Sequence, residues 1–205
     1  MIFEKTKIQN CIIPIPENYK DCLELIDSDY YRCTGKHGCF VKYLKMIILD
    51  PSFACLFWFR LCHYKGWAYF LCKIMRRHYL FKYGLDINDK AKVGYGLYLG
   101  HPFGIFVAPT AVIGNNVNLS QLDIIGTTGQ RAAQIGNNVW IGPSVIIAEK
   151  KKIGNNSSIG AGSIVVTNIE DNCMAFGNPA VPSFDSNGEM IKNPYPLPKE
   201  CMCNS

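Results

Sequence analysis

One histidine stands apart in the sequence. His101 is the only histidine in residues 84–180, because His37, His63 and His78 all lie upstream. An imidazole with its ordinary pKa of about 6.5 can take a proton from a hydroxyl and return it to a leaving group. Asp86 precedes His101 by 15 residues, and a carboxylate beside an imidazole holds its tautomer and stabilises the imidazolium. The pair predicts general-base chemistry on an alcohol.

The segment that must position these two residues has a six-residue period. Aliphatic residues recur in three runs with a step of six, and glycine follows eight of the thirteen positions. Neither a helix nor a continuous strand has this period, whereas a triangular coil of three short strands does, with the aliphatic residues pointing inward. The sequence therefore predicts a parallel β-helix of hexapeptide repeats. The thirteen positions are Ile87, Val93, Leu99, Val107, Ile113, Leu119, Ile125, Ile135, Ile141, Ile147, Ile153, Ile159 and Val165.

The period slips at two places. Two extra residues separate Leu99 from Val107, and four separate Ile125 from Ile135. Insertions in a solenoid form loops, often on the binding face. Because His101 lies in the first insertion, we expect it to leave the regular coil and face a cleft. The alternative, a solvated corner histidine with Asp86 as a connector, stays open on the residues alone.

The repeat divides the chain into three parts. Residues 1–83 are predicted to form an α-helical N-terminal segment, with one helix from Glu17 to about Arg32 and further helices after Pro51. Residues 84–180 are predicted to form the β-helix domain. Residues 181–205 contain four prolines and are predicted to be an irregular tail.

The excess positive charge lies in the N-terminal part. The net charge is +5, and residues 1–85 carry 13 Lys and Arg against 7 acidic residues. This mild charge, without a recognisable motif, argues against a nucleic-acid partner. Residues 51–85 hold six basic residues, eleven aromatic residues and no acid. That composition suits a helical cap that packs on the solenoid, and it also suits peripheral contact with a membrane.

The ten cysteines predict neither disulfides nor a metal site. No signal-peptide pattern and no apolar run of about 18 residues occur, which favours the cytoplasm, where thiols stay reduced. No Cys-x-x-Cys pair is present, and Cys201 with Cys203 is the only close pair. We expect most of these thiols to be small buried apolar groups and expect no metal.

Five short motifs follow one another between residues 86 and 182. This stretch resembles the serine acetyltransferase-like branch of the hexapeptide acyltransferases, and Phe59–His63 is similar to relatives found with exopolysaccharide genes. The resemblance implies a left-handed parallel β-helix that forms a homotrimer, with acetyl-CoA in the groove between subunits. It also assigns His101 and Asp86 the catalytic roles given above. The motifs are Asp86–Ile87, Gly96–His101, Gly104–Ile105, Ile159–Ser163 and Gly177–Ala180.

The cofactor groove is expected to be floored by backbone and small residues. Backbone N–H groups there can bind the pantetheine amides and the oxyanion, and Lys152, in a run of three lysines, can meet the phosphates. The alternative is that the glycines only turn corners and that the lysines form a solvated loop. The expected cofactor-binding residues are Gly126, Gly142, Pro143, Lys152, Gly160, Ala161, Gly177 and Asn178.

The acceptor side departs from the serine-binding pattern of the resembling family. That family has an Asp directly before the histidine, where this chain has Gly100, and an Arg-His pair, where this chain has Arg131 and Ala132. Arg131 is expected to bind an acceptor carboxylate. A small-molecule alcohol is predicted, with serine-type and sugar-type acceptors both open. The sequence ends in Asn204-Ser205 without the family's C-terminal isoleucine, so docking onto cysteine synthase is not expected.

Three classes of function were compared. A β-helix metalloenzyme of the carbonic-anhydrase kind needs several histidine ligands on adjacent coils, and His101 alone does not supply them. A non-catalytic β-helix scaffold needs no Asp86/His101 pair but remains an alternative. The prediction is an acetyl-CoA-dependent O-acetyltransferase with serine O-acetyltransferase-like chemistry. O-acetylation of a sugar in capsule or exopolysaccharide synthesis is the alternative within this class.

Overall fold

The structure is a computed structural model that describes residues 1–6, 12–129, 131–185 and 190–201. In these residues the chain opens with an antiparallel hairpin, β1 (Ile2–Lys5) and β2 (Ile12–Ile15), and continues through four helices. The predicted first helix and the further helices expected after Pro51 are present, whereas the hairpin and the second helix were not predicted. The helices are α1 (Tyr19–Thr34), α2 (Phe40–Leu49), α3 (Pro51–Leu61) and α4 (Tyr69–Tyr83).

Side-chain caps mark where α1 and α3 begin. The Asn18 side chain accepts a hydrogen bond from the backbone N–H of Asp21 and starts α1. Asp50 does the same for α3, with Pro51 at the first helical position. α2 follows Cys39, which makes no side-chain cap.

Residues 86–176 form the predicted solenoid. Its strands fall into three parallel sheets, so that each coil adds one short strand to every sheet. The first sheet contains β4 (Lys92–Val93), β7 (Val112–Ile113), β10 (Gln134–Ile135) and β13 (Lys152–Ile153). The second contains β5 (Tyr98–Leu99), β8 (Asn118–Leu119), β11 (Trp140–Ile141), β14 (Ser158–Ile159) and β16 (Cys173–Phe176). The third contains β3 (Asp86–Ile87), β6 (Phe106–Val107), β9 (Ile124–Ile125), β12 (Ile146–Ile147) and β15 (Ile164–Val165).

The thirteen periodic aliphatic residues form the axis of the solenoid, as predicted. Each of them is at most 2% exposed. At the N-terminal end, Leu56 and Phe59 of α3 belong to the same apolar core as Ile87 and Val93. α3 therefore closes the first coil, and burial of the coil's open end against these side chains stabilises both parts.

Three edges join the sheets, and each is named here by a residue that it carries. The His101 edge joins the second sheet to the third, the Arg131 edge joins the third to the first, and the asparagine edge joins the first to the second. On the asparagine edge, Asn116, Asn138 and Asn156 adopt φ of 54–55°. These asparagines, rather than the glycines two residues before them, supply the left-handed conformation at the corners.

The C-terminal segment differs from the predicted irregular tail. β17 (Val181–Asp185) pairs antiparallel with β16, and a short 3-10 helix covers Lys199–Cys201. Tyr195 stacks on buried Tyr95 with ring centroids 5.7 Å apart. This long-range packing orders a proline-rich stretch that has no local periodicity. The division of the chain into domains stays a prediction.

Five of the eight cysteines in the described ranges are buried thiols, in agreement with the expectation. Burial raises the pKa of Cys22, Cys55 and Cys62 to about 12. Such thiols act as small apolar groups. Cys39 is exposed, and Cys11 and Cys203 fall outside the described residues; the buried five are Cys22, Cys55, Cys62, Cys72 and Cys201. No helix in the described ranges is both long enough and apolar enough to cross a membrane.

Candidate active site

His101 lies in the loop between β5 and β6, at the first of the two predicted insertions. Its side chain is exposed. Pro102 beside it is buried, whereas the Phe103 ring is 53% exposed and packs edge-on against Tyr83 at 5.4 Å. The backbone N–H of Gly104 donates to the carbonyl of Tyr83 at 2.9 Å, which fixes the loop to the end of α4. His101 therefore stands on an anchored corner and faces outward.

Hydrogen bonds between consecutive turns make the His101 edge continuous. Each turn donates a backbone N–H to an oxygen of the turn before it. This stacking places His101 on the same ridge as most of the predicted cofactor residues. The bonds are Leu122 to Phe103 (2.8 Å), Ser144 to Gln121 (2.9 Å), Gly162 to Pro143 (2.8 Å) and Gly177 to the Ser163 hydroxyl (3.1 Å).

The predicted cofactor residues on this edge differ in exposure. Ala161, Gly177 and Asn178 are exposed and Pro143 is half-buried, so their backbone can meet a ligand. Gly142 is buried, and a Cβ there would lie 2.8 Å from the backbone nitrogen of Ala161. Close packing of the coils thus accounts for glycine at this position without a ligand.

Gly160 is explained in a similar way. A Cβ at Gly160 would lie 2.8 Å from the Cβ of Phe176, so its glycine is required by the side chain on the next coil. Gly177 has φ of 104°, which only glycine adopts readily. The role of these glycines in cofactor binding stays a prediction.

The remaining predicted residues lie on or beside the Arg131 edge. Gly126 follows β9, Arg131 is exposed in the second insertion, and Lys152 is exposed on β13. The carbonyl of Arg131 accepts a hydrogen bond from the N–H of Lys150 at 2.9 Å. Within one chain, the third sheet separates this edge from the His101 edge. The structure therefore groups the predicted site into two sets at opposite borders of one sheet.

The Glu149 carboxylate anchors the loop that carries Arg131 through hydrogen bonds. It accepts hydrogen bonds from the Thr128 N–H at 2.9 Å, the Thr128 hydroxyl at 2.8 Å and the Thr127 hydroxyl at 3.2 Å. These bonds hold the pKa of the Glu149 carboxyl below its usual value. The ionised carboxylate thus ties the loop to the following coil.

Asp86 begins β3, opposite Phe106 of β6. Its carboxylate accepts a hydrogen bond from Nη1 of Arg76 on α4 at 3.0 Å, and the same nitrogen donates to the Ile87 carbonyl at 2.9 Å. Among the described residues, no hydrogen bond joins Asp86 to His101. The two residues lie on adjacent coils near the same edge, and their pairing stays a prediction. Sequence reasoning missed Arg76, because a basic residue on an amphipathic helix gives no signal for a specific partner.

An apolar stripe runs along the outer surface of the third sheet. Phe106, Ile124 and Ile146 are neighbours in register, and each is about two-fifths exposed. The corresponding outward residues of the first sheet include Lys92, Gln134 and Lys152. The sequence carried this signal, because consecutive strands of the third sheet each place an apolar residue before the inward aliphatic residue, whereas the first sheet does so only at Val112. Exposed contiguous apolar surface of this kind is typical of protein interfaces.

A buried carboxyl lies behind the His101 edge. Asp123 is 1% exposed, and its oxygens accept hydrogen bonds from the N–H groups of Ser120 at 2.7 Å and Val145 at 3.0 Å. Burial outweighs these two bonds and raises the pKa of Asp123 to about 7. In the described part of the chain, no cluster of three or more His, Cys, Asp or Glu side chains is arranged to hold a metal ion.

Comparison with known protein families and curated proteins supports the predicted family resemblance. A family model described as bacterial transferase hexapeptide (six repeats) matches residues 132–167. Serine acetyltransferase 4 of Arabidopsis thaliana is 35% identical over 102 residues, which are 48% of this chain and 29% of that protein. Serine acetyltransferase of Helicobacter pylori is 28% identical over 142 residues, 66% of this chain and 83% of that protein. The alignment thus spans about a third of the plant relative and most of the bacterial one.

Solved structures give the same result for the fold. Serine acetyltransferase from Neisseria gonorrhoeae is 28% identical with a TM-score of 0.69, and the match covers 82% of this chain and 67% of that chain. The soybean serine acetyltransferase complexed with serine is 27% identical with a TM-score of 0.67, and the match covers 79% and 69%. The similarity extends beyond the repeats, since the solenoid alone is less than half of this chain.

Proposed function

The chain is a hexapeptide-repeat protein that resembles the serine acetyltransferases in sequence and in its left-handed parallel β-helix, and on this basis we propose that it is an acetyl-CoA-dependent O-acetyltransferase. The observation that carries the proposal is the His101 edge. It combines one exposed histidine with a continuous ridge of exposed backbone at Ala161, Gly177 and Asn178. A base and a row of amide groups are what transfer from a thioester to a hydroxyl requires.

In the proposed reaction, His101 takes the proton of the acceptor hydroxyl while the hydroxyl oxygen attacks the thioester carbonyl. Backbone N–H groups stabilise the negative oxygen of the tetrahedral intermediate. The carbon–sulfur bond then breaks, and the imidazolium returns its proton to the sulfur of CoA. Asp86 orients the imidazole, and Arg76 holds the Asp86 carboxylate from the helical side.

We place the complete site between two copies of the chain in a homotrimer. In a ring with parallel solenoid axes and the third sheets facing the threefold axis, the His101 edge of one copy meets the Arg131 edge of the next. This arrangement would bury the stripe at Phe106, Ile124 and Ile146. It would also bring Arg131 and Lys152 of one copy to His101 of another, which a single chain does not do.

Two observations bear on the identity of the acceptor: the serine bound by structural relatives, and two positions at which this chain departs from the serine-binding pattern. The structural relatives from soybean and Neisseria gonorrhoeae include complexes with serine, so a serine-type hydroxyl is the first candidate. Gly100 places no carboxylate beside His101, and Ala132 is buried, so fewer charged groups remain to hold a free amino acid. A sugar hydroxyl is the second candidate, because it needs no ammonium or carboxylate contact.

The test is the release of free CoA thiol from acetyl-CoA with L-serine, L-homoserine and nucleotide-linked sugars. His101→Ala is expected to lower kcat by at least about 100-fold while acetyl-CoA still binds, and Asp86→Asn to lower it less. His78→Ala, at an exposed histidine of α4, is the matched control. Near-wild-type turnover of His101→Ala with the working acceptor would overturn the assignment. Absence of both acetyl-CoA binding and thiol release would favour the scaffold alternative.

A further inference from the structure

The surface of α2 and α4 that points away from the solenoid is apolar. On α2 the exposed side chains recur at a helical spacing, and Ile48 is 82% exposed. At the start of α4, Trp67 is 90% and Phe70 is 76% exposed. We define this as the outer helical face, and a group of exposed large apolar side chains of this kind marks an interaction site. Its members are Phe40, Val41, Leu44 and Ile48 of α2, with Trp67, Phe70, Leu71, Ile74 and Phe81 in or next to α4.

A cleft joins the two helices into one surface. It has a volume of about 540 Å³, and both Leu44 of α2 and Leu71 of α4 line it. Phe57 and Trp58 of α3 lie along it. Its lining is almost entirely apolar, so it suits a hydrocarbon chain rather than a polar ligand.

The inward side of α4 is already occupied. Tyr79 and Tyr83 pack against the solenoid core, and Arg76 forms an ion pair with Asp86. The outer helical face is therefore a second, independent face of α4. Packing on the same chain explains the first face and leaves the second uncovered in the described residues.

Basic residues are concentrated in the segment that carries the outer helical face. Residues 36–85 contain nine Lys and Arg against one acid, Asp50. Asp50 is engaged at the start of α3, where it accepts bonds from the N–H groups of Ser52 and Phe53. Six of the basic side chains are exposed and form no ion pair with any described residue: Lys36, Lys42, Lys45, Lys65, Arg77 and Lys82.

We propose that the outer helical face docks onto the surface of an anionic lipid bilayer, with Trp67 and Phe70 in the interface and an acyl chain in the cleft. Aromatic and aliphatic side chains enter the headgroup region, and the surrounding Lys and Arg attract anionic lipids. The Arg77 guanidinium lies 4.8 Å from the centre of the Phe81 ring, so a positive charge and an exposed apolar ring lie side by side on this face. A second copy of the chain is disfavoured as the partner of this face. A contact between two copies would place two strongly basic surfaces against each other, and like charges repel.

The test is co-sedimentation of the full chain with vesicles of phosphatidylcholine alone and of phosphatidylcholine mixed with phosphatidylglycerol, at low and high salt. Binding is expected to the mixed vesicles only and to weaken with salt. Lys42→Gln with Arg77→Gln is expected to weaken it about 30-fold, since each basic residue near an anionic surface contributes roughly a fivefold factor. Lys199→Gln, at an exposed lysine outside this face, is the matched control. These surface changes leave the helix packing intact.

A second variant tests the apolar part. Ile48→Glu with Phe70→Glu is expected to abolish sedimentation with mixed vesicles, whereas Ile2→Glu, at an exposed residue of β1, is expected to leave it unchanged. Light scattering of the same variants without vesicles is the second readout. No binding to mixed vesicles at low salt would overturn the proposal. A smaller assembly of Ile48→Glu with Phe70→Glu would also overturn it, because it would show that another copy covers the face.

Discussion

The guanidinium of Arg60 binds the carboxylate of Asp29 through two parallel hydrogen bonds in the interior of the protein. Nε donates to Oδ2 at 2.8 Å and Nη2 donates to Oδ1 at 2.9 Å, and both side chains are fully buried. Arg60 also donates to the carbonyls of Val93 at 2.9 Å and Gly94 at 2.7 Å. One pair of side chains thus links α1, α3 and the first coil of the solenoid.

Breaking this pair is expected to be costly. Arg60→Met leaves the Asp29 carboxylate buried without its partner, so the free energy of unfolding should fall by about 3–5 kcal/mol. Urea unfolding measures it. The control is Lys92→Met, which removes the exposed ion pair with Glu4 and should cost less than about 1 kcal/mol. If the two variants lose the same stability, the buried pair does not hold the helices to the solenoid.

Asp123 predicts a pH dependence of stability. Its pKa of about 7 in the folded protein lies above its unfolded value of about 3.9. The folded protein therefore binds the proton more tightly, and stability falls as the pH rises through 7. The loss from about pH 5 to about pH 8 should be roughly 2–3 kcal/mol. Urea unfolding at both pH values should show that the wild type loses this much stability relative to Asp123→Asn, and an equal change in both proteins would contradict it.

The apolar stripe on the third sheet predicts the assembly interface. Ile124→Glu introduces a charge at the middle of the stripe and is expected to convert the proposed trimer into monomers at micromolar concentration, because burial of the carboxylate is unfavourable. Light scattering measures the molar mass. Gln134→Glu, at an outward position of the first sheet, should remain trimeric. A wild type that is monomeric would overturn the shared site along with the interface.

A site built from two copies predicts complementation between inactive variants. His101→Ala and Arg131→Ala, each inactive alone, are mixed, unfolded and refolded together. Hybrid trimers then contain interfaces with an intact histidine from one copy and an intact arginine from the next, at about a quarter of the sites. Recovery of about a quarter of the wild-type rate of thiol release is expected. No recovery in trimers proven to be mixed would contradict a site shared in this way between two copies.

Gly100 predicts a gain in serine recognition. A Cβ at this position would lie 3.7 Å from the Leu119 carbonyl oxygen and 3.9 Å from the Ser120 hydroxyl, so a side chain fits. Gly100→Asp restores a carboxylate next to His101 and is expected to lower KM for L-serine about 10-fold, since a charged hydrogen bond contributes about 1.5–3 kcal/mol. Gly100→Asn, of equal size and without charge, should not. Equal KM values in both variants would show that the acceptor ammonium lies elsewhere.

The sequence predicted the parts of the molecule that repeat and missed the parts that depend on distant contacts. The inward positions from Ile87 to Val165 follow from a period of six, which local geometry imposes. The pairing of Arg76 with Asp86 depends on the turn at Gly84, where φ is 64°, and on how α4 packs. Tyr195 stacks on Tyr95 across a hundred residues, which no local pattern specifies. The split of the predicted site between two edges is likewise a property of the closed coil.

The asparagine edge has a consequence for how such a protein changes over evolution. On this edge, a side-chain oxygen of each coil accepts a hydrogen bond from the backbone N–H of the corresponding residue on the preceding coil. The series runs from Tyr95 through Asn115, Asn137 and Asn155 to Asp171. These positions are 20, 22, 18 and 16 residues apart, yet the alignment of the coils is kept. Chain length thus varies freely on the other two edges, where the loops of His101 and Arg131 lie. Loops there can be lengthened, shortened or exchanged, and a new acceptor acquired, without the strands losing register.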